Sequence, residues 1–394
     1  MNNKQIIIDI SRLVKIIRSR KRPTGVDRAC LEYIKQYSAS AIALVNIGGH
    51  YFFLKKDASR EIFALILTWS ENNSLLLLVN FFIKLVFAID FRFRSADGYV
   101  LNIGHTGICT SKKHNKLKLV FMLHDLIPFE YPEYANFSNK KYKNHKIKIN
   151  NVIDLADTII CNSQDTKKHL QHYASVIGKQ ISSKTEVALL GNNLRKIEKS
   201  SLSHLPLKHI NKPYFVAIST IEPRKNHIML LNIWRRFAQD STNSNEIPNL
   251  IIIGRRGWKC SNVTDMLDNC ITIKNNVFEL NNCNDVDLQA YIMGARALLF
   301  PSFVEGFGIP VIEALNLGTP AIISDIPVFH EIAGEVPEYI DPLDALSWMK
   351  MIMEYTKPDS IMRLKQIERM KNYTAPTWEE HFKIVDEVLG LNHA

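Results

Sequence analysis

Phe300 to Ala314 reads FPSFVEGFGIPVIEA. A strand-like apolar run, Ala297 to Phe300, gives way here to a Gly-Phe-Gly turn, and Pro310 suits the first turn of a helix running to Asn316. A strand-turn-helix junction of this kind aims free backbone N–H groups outward at the positive end of a helix dipole. That makes an anion site, and diphosphate is a common occupant. Two glutamates, Glu305 and Glu313, stand eight positions apart across the turn. The spacing puts Glu305 at the strand end and Glu313 about two helical turns further on, within reach of a neutral hydroxylated group such as ribose. One Gly-x-Gly before a helix says little, and either glutamate alone reads as a solvated surface residue, so the weight lies in what accompanies them.

Upstream of this junction, Tyr214 to Ile218, Leu250 to Ile253 and Cys270 to Lys274 read as strands, and Ala321 to Ser324 follows downstream, with helical patterns between them. The first half alternates in the same way. Strand-like runs at Gln5 to Ile10, Ile42 to Ile47, Tyr99 to Asn102, Leu117 to Leu123 and Thr158 to Cys161 are interleaved with helical patterns at Arg28 to Tyr37, Tyr142 to Leu155 and Gln164 to Tyr173. The expected fold class is α/β, with two doubly wound, Rossmann-like units. The expected domains are residues 1–195, a linker at 196–212 where periodicity gives way to Ser, Lys and Pro, and residues 213–375. A C-terminal helix in 376–394 would pack back on the first domain. Ligands of doubly wound units bind beyond the carboxyl ends of the strands, so two facing units would share a deep cleft.

At 394 residues, two domains are expected on length alone, and 46% hydrophobic content fits a globular class. Net charge is +10, concentrated in RSRKR (Arg18 to Arg22) and KKYKNHKIK (Lys140 to Lys148), a surface suited to polyanions or anionic lipid. No RNP-like signature, zinc-finger spacing or basic zipper accompanies it, which ranks nucleic acid below membrane. The six cysteines contain no C-x-x-C pair and read as reduced thiols, and Met1 to Asp9 lacks the features of a signal peptide, so a cytoplasmic location is expected. Leu75 to Ile89, LLLLVNFFIKLVFAI, is interrupted by Asn80 and Lys84 and is shorter than the roughly 20 residues of a spanning helix. It reads either as a core helix or as a helix lying in the membrane interface.

Other strand ends carry chemistry too. STIEPRKNH sets Arg224 and Lys225 between the strand Tyr214 to Ile218 and a helix, where an Arg fork and a Lys point charge suit a diphosphate. NLIIIGRRGW ends a strand in a glycine turn at Gly254 beside cations. VFMLHDLIPFE puts His124 and Asp125 directly after a strand, and PTGVDR opens a helix at Gly25. The one D-x-D, Asp285 to Asp287, appears where a helix begins and reads as capping rather than as a metal site.

Together these residues resemble the group-1 retaining glycosyltransferases, glycosyltransferase family 4, with the two-domain GT-B fold. STIEPRKN, GRRGW, FPSFVEGFGIPVIEALNLGTPAIISDIPVFHEIAG and YIDP carry the resemblance from Ser219 to Pro342, and PTGVDR, HDLIPFEYPE and ICNS extend it upstream. The resemblance implies that Arg224 and Lys225 bind the donor diphosphate and that Glu305 contacts hydroxyls of the transferred sugar. Gly306, Phe307 and Gly308 would lie against phosphate and sugar, with Gly254 lining the same site. Glu313 would hold the ribose, His124 would lie beside the donor sugar, and Gly25 near the phosphates. Many members carry Gly-Arg where this chain has Ser219 and Thr220, which shifts the clamping onto Arg224 and Lys225.

The implied activity is a metal-independent, retaining hexosyl transfer from a nucleotide diphosphate-sugar, GDP-mannose before UDP-sugars, to a lipid-linked glycan acceptor in O-antigen, capsule or lipopolysaccharide assembly. No cofactor is expected, and peripheral contact with an anionic membrane is. The alternatives are a UDP-sugar transferase with a soluble acceptor and a non-catalytic GT-B scaffold that binds glycan or a partner protein.

Overall fold

The structure, a computed structural model, describes residues 4–21, 23–47, 50–71, 74–90, 97–105, 117–135, 139–194, 212–241, 243 and 246–391. The expected linker at 196–212 therefore lies, except for Lys212, outside the described residues, as do Arg22 and Cys109. The chain divides into two compact units. One comprises residues 1–125, 137–190 and 378–394, and the other comprises 126–136 and 191–377.

The first unit is built on a seven-stranded sheet of β1 (Gln5–Asp9), β2 (Ile42–Ile47), β3 (His50–Phe53), β4 (Gly98–Asn102), β5 (Leu117–Leu123), β6 (Thr158–Cys161) and β7 (Lys184–Val187). Their spatial order is β3-β2-β1-β4-β5-β6-β7, parallel throughout except for β3, which runs antiparallel to β2 at the edge. Strands β4 and β6 are buried along their whole length. That two-sided burial accounts for the continuous apolar runs of their sequences. The helix Trp378–Leu389 belongs to this unit. Tyr33 Oη lies 2.9 Å from His381 Nε2, Tyr37 Oη donates to Asp386 Oδ1 at 2.6 Å, and His381 Nδ1 lies 3.0 Å from the Leu189 carbonyl. The Leu189 contact makes Nδ1 the donor, so Nε2 accepts from Tyr33. The Phe382 ring meets Tyr33 and Tyr37 edge-on at 5.1 and 5.6 Å.

The second unit carries six parallel strands: β8 (Tyr214–Ile218), β9 (Asn249–Ile253), β10 (Val277–Leu280), β11 (Leu298–Phe300), β12 (Ala321–Ser324) and β13 (Glu338–Ile340). Their order is β10-β9-β8-β11-β12-β13. Trp234 and Trp348, both fully buried, anchor its core, their indole N–H groups donating to the carbonyls of Pro248 at 2.7 Å and Asp341 at 3.0 Å. In each sheet the strand order reverses beside the unit's first strand, between β1 and β4 and between β8 and β11. Those two switch points are where a crevice opens at the carboxyl ends of the strands.

Two sequence expectations need correction. Cys270 to Lys274 is not a strand. Ile271–Ile273 forms a 3₁₀ turn directly after the helix Ser261–Asn269, and Ile271 is exposed. The turn's carbonyls take the N–H groups of Lys274 and Asn276, and the ladder with β9 begins only at Val277. The segment 126–136, read as part of the first domain, groups with the second unit. Trp258 Nε1 donates to the Tyr134 carbonyl at 2.9 Å, Lys259 Nζ to the Glu133 carbonyl at 3.0 Å, and the Tyr134 ring stacks on Phe303 at 6.0 Å.

Candidate active site

The switch point of the second unit brings together two loops that are 80 residues apart in sequence. After β8, Pro223–Lys225 makes a 3₁₀ turn ending at Asn226, whose left-handed backbone (φ 54°) swings the chain into the helix His227–Asp240. After β11 the chain runs through Ser302 to Gly308 before the helix Ile309–Asn316. The loops are stapled at the backbone, where Phe303 N–H donates to the Arg224 carbonyl at 2.8 Å and Arg224 Nη1 donates to the Val304 carbonyl at 3.0 Å. Asn226 Nδ2 ties the turn to the Pro342 carbonyl at 2.9 Å.

Four charged groups lie on this frame. Glu305 accepts from Arg224 Nη1 at 2.6 Å through one oxygen and from Lys225 Nζ through the other, and Arg224 Nε reaches Glu222 at 2.7 Å. The Lys225 ammonium also sits 4.8 Å from the centre of the Phe300 ring. Glu222, Lys225 and Glu305 are buried. Burial alone would raise the Glu305 carboxyl, but Arg224 and Lys225 outweigh it and hold the group at about 2. Burial and the Arg224 charge push Lys225 down. Burial raises Glu222 against the pull of the same two cations. The two carboxylates balance the two cations formally, so the cations are oriented without a large excess of buried positive charge.

The glycine turn has local causes. Gly308 has φ 120°, and a Cβ there would meet Phe329 at 2.8 Å and Ile332 at 3.1 Å, so glycine is required twice over. Phe307 is buried, and Glu313 is buried on the helix Ile309–Asn316. Gly254 follows β9, where an added Cβ would fall 1.9 Å from the Ser219 carbonyl oxygen. Close approach of two strand ends therefore explains this glycine by itself. Asp285 and Asp287 lie in the first turn of Asp285–Gly294, but the cap is Asn284, whose side chain accepts from the Asp287 N–H at 2.8 Å.

Gly25 and His124 lie in the first unit. Gly25 opens the helix Gly25–Tyr37 behind Thr24, whose N–H and hydroxyl both donate to Asp27, at 2.7 and 2.5 Å. His124 follows β5 and is buried, with Nε2 2.8 Å from the Ile103 carbonyl, and burial holds its ring at about 4, neutral at pH 7. Its carbonyl is gripped by Asn162 Nδ2 at 2.9 Å.

Sequence reasoning singled out Arg224, Lys225 and Glu305 but missed their interlocking, and it passed over Glu222 and His227. His227 Nε2 lies 3.2 Å from Ser219 Oγ, and burial beside Lys225 holds the imidazole at about 3. The signal for Glu222 was present in the quoted TIEPRKN, as an acid two positions before the arginine.

The family described as "Glycosyl transferases group 1" matches residues 205–368. The O-antigen chain mannosyltransferase RfbU of Salmonella typhimurium is 30% identical over 274 residues, which cover 68% of this chain and 68% of that protein. The serotype-specific mannosyltransferase WbdA of Escherichia coli is 26% identical over 66% of this chain, a match spanning 32% of WbdA's own length. Among solved structures, HepE of Anabaena in complex with UDP aligns over 98% of this chain and 100% of its own, at TM-score 0.64 and 16% identity. Sucrose-phosphate synthase of Thermosynechococcus elongatus aligns over 99% of both, at TM-score 0.61 and 14% identity. These structural likenesses carry the fold, which is GT-B.

Proposed function

Because this chain belongs to the group 1 glycosyltransferases, we propose that it transfers a mannosyl residue, with retention at the anomeric carbon, from GDP-mannose to a lipid-linked glycan in O-antigen-type polysaccharide assembly. The mannose and O-antigen parts of this reading draw on the names of the relatives. The observation that carries the chemistry is the Arg224, Lys225 and Glu305 cluster at the switch point between β8 and β11.

In the proposed step the bond from the anomeric carbon to the diphosphate oxygen breaks, and its electron pair stays on the diphosphate. The acceptor hydroxyl oxygen bonds the same carbon on the face the diphosphate leaves, and its proton passes to the departing phosphate oxygen. Arg224, Lys225 and the N-terminus of Ile309–Asn316 stabilise the growing negative charge, and because they are already oriented, little reorganisation opposes the step. Arg224 and Lys225 supply fixed, charged N–H donors to the diphosphate, so the reading needs no metal. Glu305, held as a carboxylate by its cations, accepts hydrogen bonds from sugar hydroxyls and carries no covalent intermediate. Glu313 takes the ribose hydroxyls.

We read the enzyme as peripheral to an anionic membrane. Among the described residues no helix is long and apolar enough to cross one. The helix Leu75–Ala88 buries Phe81, Leu85 and Ala88 but turns Leu76, Val79, Ile83, Val86 and Phe87 outward, each 50% to 85% exposed. Such a stripe suits an interfacial helix.

The deciding experiment is a thermal-shift panel of GDP, UDP, ADP and CMP with their sugar conjugates, on the wild type and Lys225→Ala. At about a hundred times its dissociation constant a ligand stabilises by about 2.7 kcal/mol, several degrees for a unit of this size. GDP and GDP-mannose should shift the wild type and not the folded variant. Selective response to another nucleotide would replace the donor, and no response to any would overturn the reading.

A further inference from the structure

Glu222 immediately precedes the 3₁₀ turn that carries Arg224 and Lys225, and it is 3% exposed. One of its carboxylate oxygens reaches Arg224 Nε at 2.7 Å. The other, Oε2, is shut off from solvent and has no hydrogen-bond partner among the described residues. A negative charge with half of its acceptor capacity unused is costly to keep buried. Burial is the largest influence on this carboxyl and raises it, the Arg224 and Lys225 charges pull it down, and Glu305 adds to the rise.

The surrounding charges come from three directions. Arg224 and Lys225 share the turn with Glu222, and Glu305 faces them from the loop after β11. His227, on the helix after the turn, is neutral. The loop after β9 pairs with Ile221 through the backbone of Arg255 and Gly257; the Arg255 side chain is exposed, and Arg256 is engaged by Asp268 and Glu279 at 2.5 and 2.7 Å.

An arriving anion acts differently on the two carboxylates of the clamp. Glu305 accepts from both cations, one through each oxygen, and stays ionised. Glu222 meets one nitrogen of Arg224. A diphosphate on Arg224 and Lys225 adds like charge beside Glu222 and competes for the attraction that keeps it ionised. A proton needs no room, settles on the closed Oε2, and leaves the other oxygen to accept from Arg224 Nε.

We infer that Glu222 is a positioning residue of the diphosphate clamp and a proton-coupled counterion, ionised in the empty site, where it orients Arg224, and protonated at Oε2 from bulk water when the donor's diphosphate binds. This assignment rests on the donor site proposed above. The proton returns to water as the nucleoside diphosphate departs.

Calorimetric titration of the full chain with GDP-mannose, at several values between pH 5.5 and 7.5 and in buffers of different ionisation enthalpy, counts the protons taken up. A diphosphate diester has no group of its own that titrates in this range. The wild type should take up protons on binding, so its affinity should fall as pH rises, by up to about tenfold per pH unit. Glu222→Gln keeps an acceptor for Arg224 and mimics the protonated form. It should bind about tenfold more tightly than the wild type at pH 7.5, without proton uptake. A purely structural role would lower the melting temperature and leave the proton count as it was. Wild-type binding without proton uptake overturns the inference with no variant needed, and undiminished uptake in Glu222→Gln overturns it by assigning the proton to another group, Lys225 first. UDP-glucose is titrated in parallel, and whichever nucleotide sugar binds gives the count. Binding of neither strikes the proposed donor site and this inference with it, whereas binding without uptake strikes the inference alone.

Discussion

Glu305→Gln should strengthen donor binding and weaken both stability and turnover. The carboxylate holds two cations at once, one oxygen toward Arg224 at 2.6 Å and the other toward Lys225. Glutamine keeps one acceptor and turns an amide donor toward the other cation. Removing one partner of a buried ion pair costs about 3–5 kcal/mol. The lower end applies here, because Arg224 keeps Glu222 at 2.7 Å and the Val304 carbonyl at 3.0 Å. For a unit of about 200 residues, about 3 kcal/mol lowers the melting temperature by about 6–12 °C.

The formal charge of Glu222, Arg224, Lys225 and Glu305 rises from zero to +1 in the variant. At an effective dielectric of about 20 and a separation of about 5 Å, one added charge pair contributes about 3 kcal/mol. Roughly half of that surviving solvent screening is a tenfold gain in GDP affinity. Turnover should still fall by about a hundredfold, because the carboxylate that aligns sugar and cations is lost. Calorimetric GDP titration, thermal melts and single-turnover transfer measure the three effects. A folded variant with an unchanged melting temperature and unchanged or weaker GDP binding would show that Glu305 does not neutralise the clamp.

Acidification should loosen the first unit before the second. His124 and His381, both in the first unit, are held at about 4 by burial, against an ordinary value of 6.5, while the second unit has His227 at about 3. Below pH 6.5 the unfolded chain takes up protons that these native rings refuse, so stability falls with pH, by about 1.4 kcal/mol per histidine at pH 5.5. Urea titrations at pH 7 and pH 5.5 check this, and an unchanged midpoint for the first unit would contradict it. At the membrane, Leu76→Ser with Phe87→Ser should release the protein from anionic liposomes by about a hundredfold in partitioning, from about 3 kcal/mol of lost apolar insertion. The melting temperature should hold, since both side chains are exposed. Undiminished flotation with liposomes would remove this helix as the contact.

Much of the fold was legible because most of its central strands are buried on both faces. Leu117–Leu123, Thr158–Cys161, Tyr214–Ile218 and Ala321–Ser324 appear in the sequence as short, predominantly apolar runs, and their ends were read correctly. The edge strand His50–Phe53 and the helix Lys56–Glu71 had no such signature, and Cys270–Lys274 had the β-branched residues of a strand without its ladder. The site residues on strand ends were visible for the same reason as the strands. Their partners were not: Arg224 and Lys225 meet Glu305 across 81 and 80 positions. Such pairings are fixed by sheet order, which no local pattern encodes.

The return of Trp378–Leu389 to the first unit bears on how the chain is made. Tyr33, Tyr37 and the Leu189 carbonyl find these partners at His381 and Asp386, whereas residues 191–377 are already complete by then. On the ribosome, the usual order in which the amino-terminal domain matures first is therefore reversed. The second unit can close while the first still exposes the apolar seat of the helix Trp378–Leu389, and that seat is the surface a chaperone would have to guard until this helix emerges.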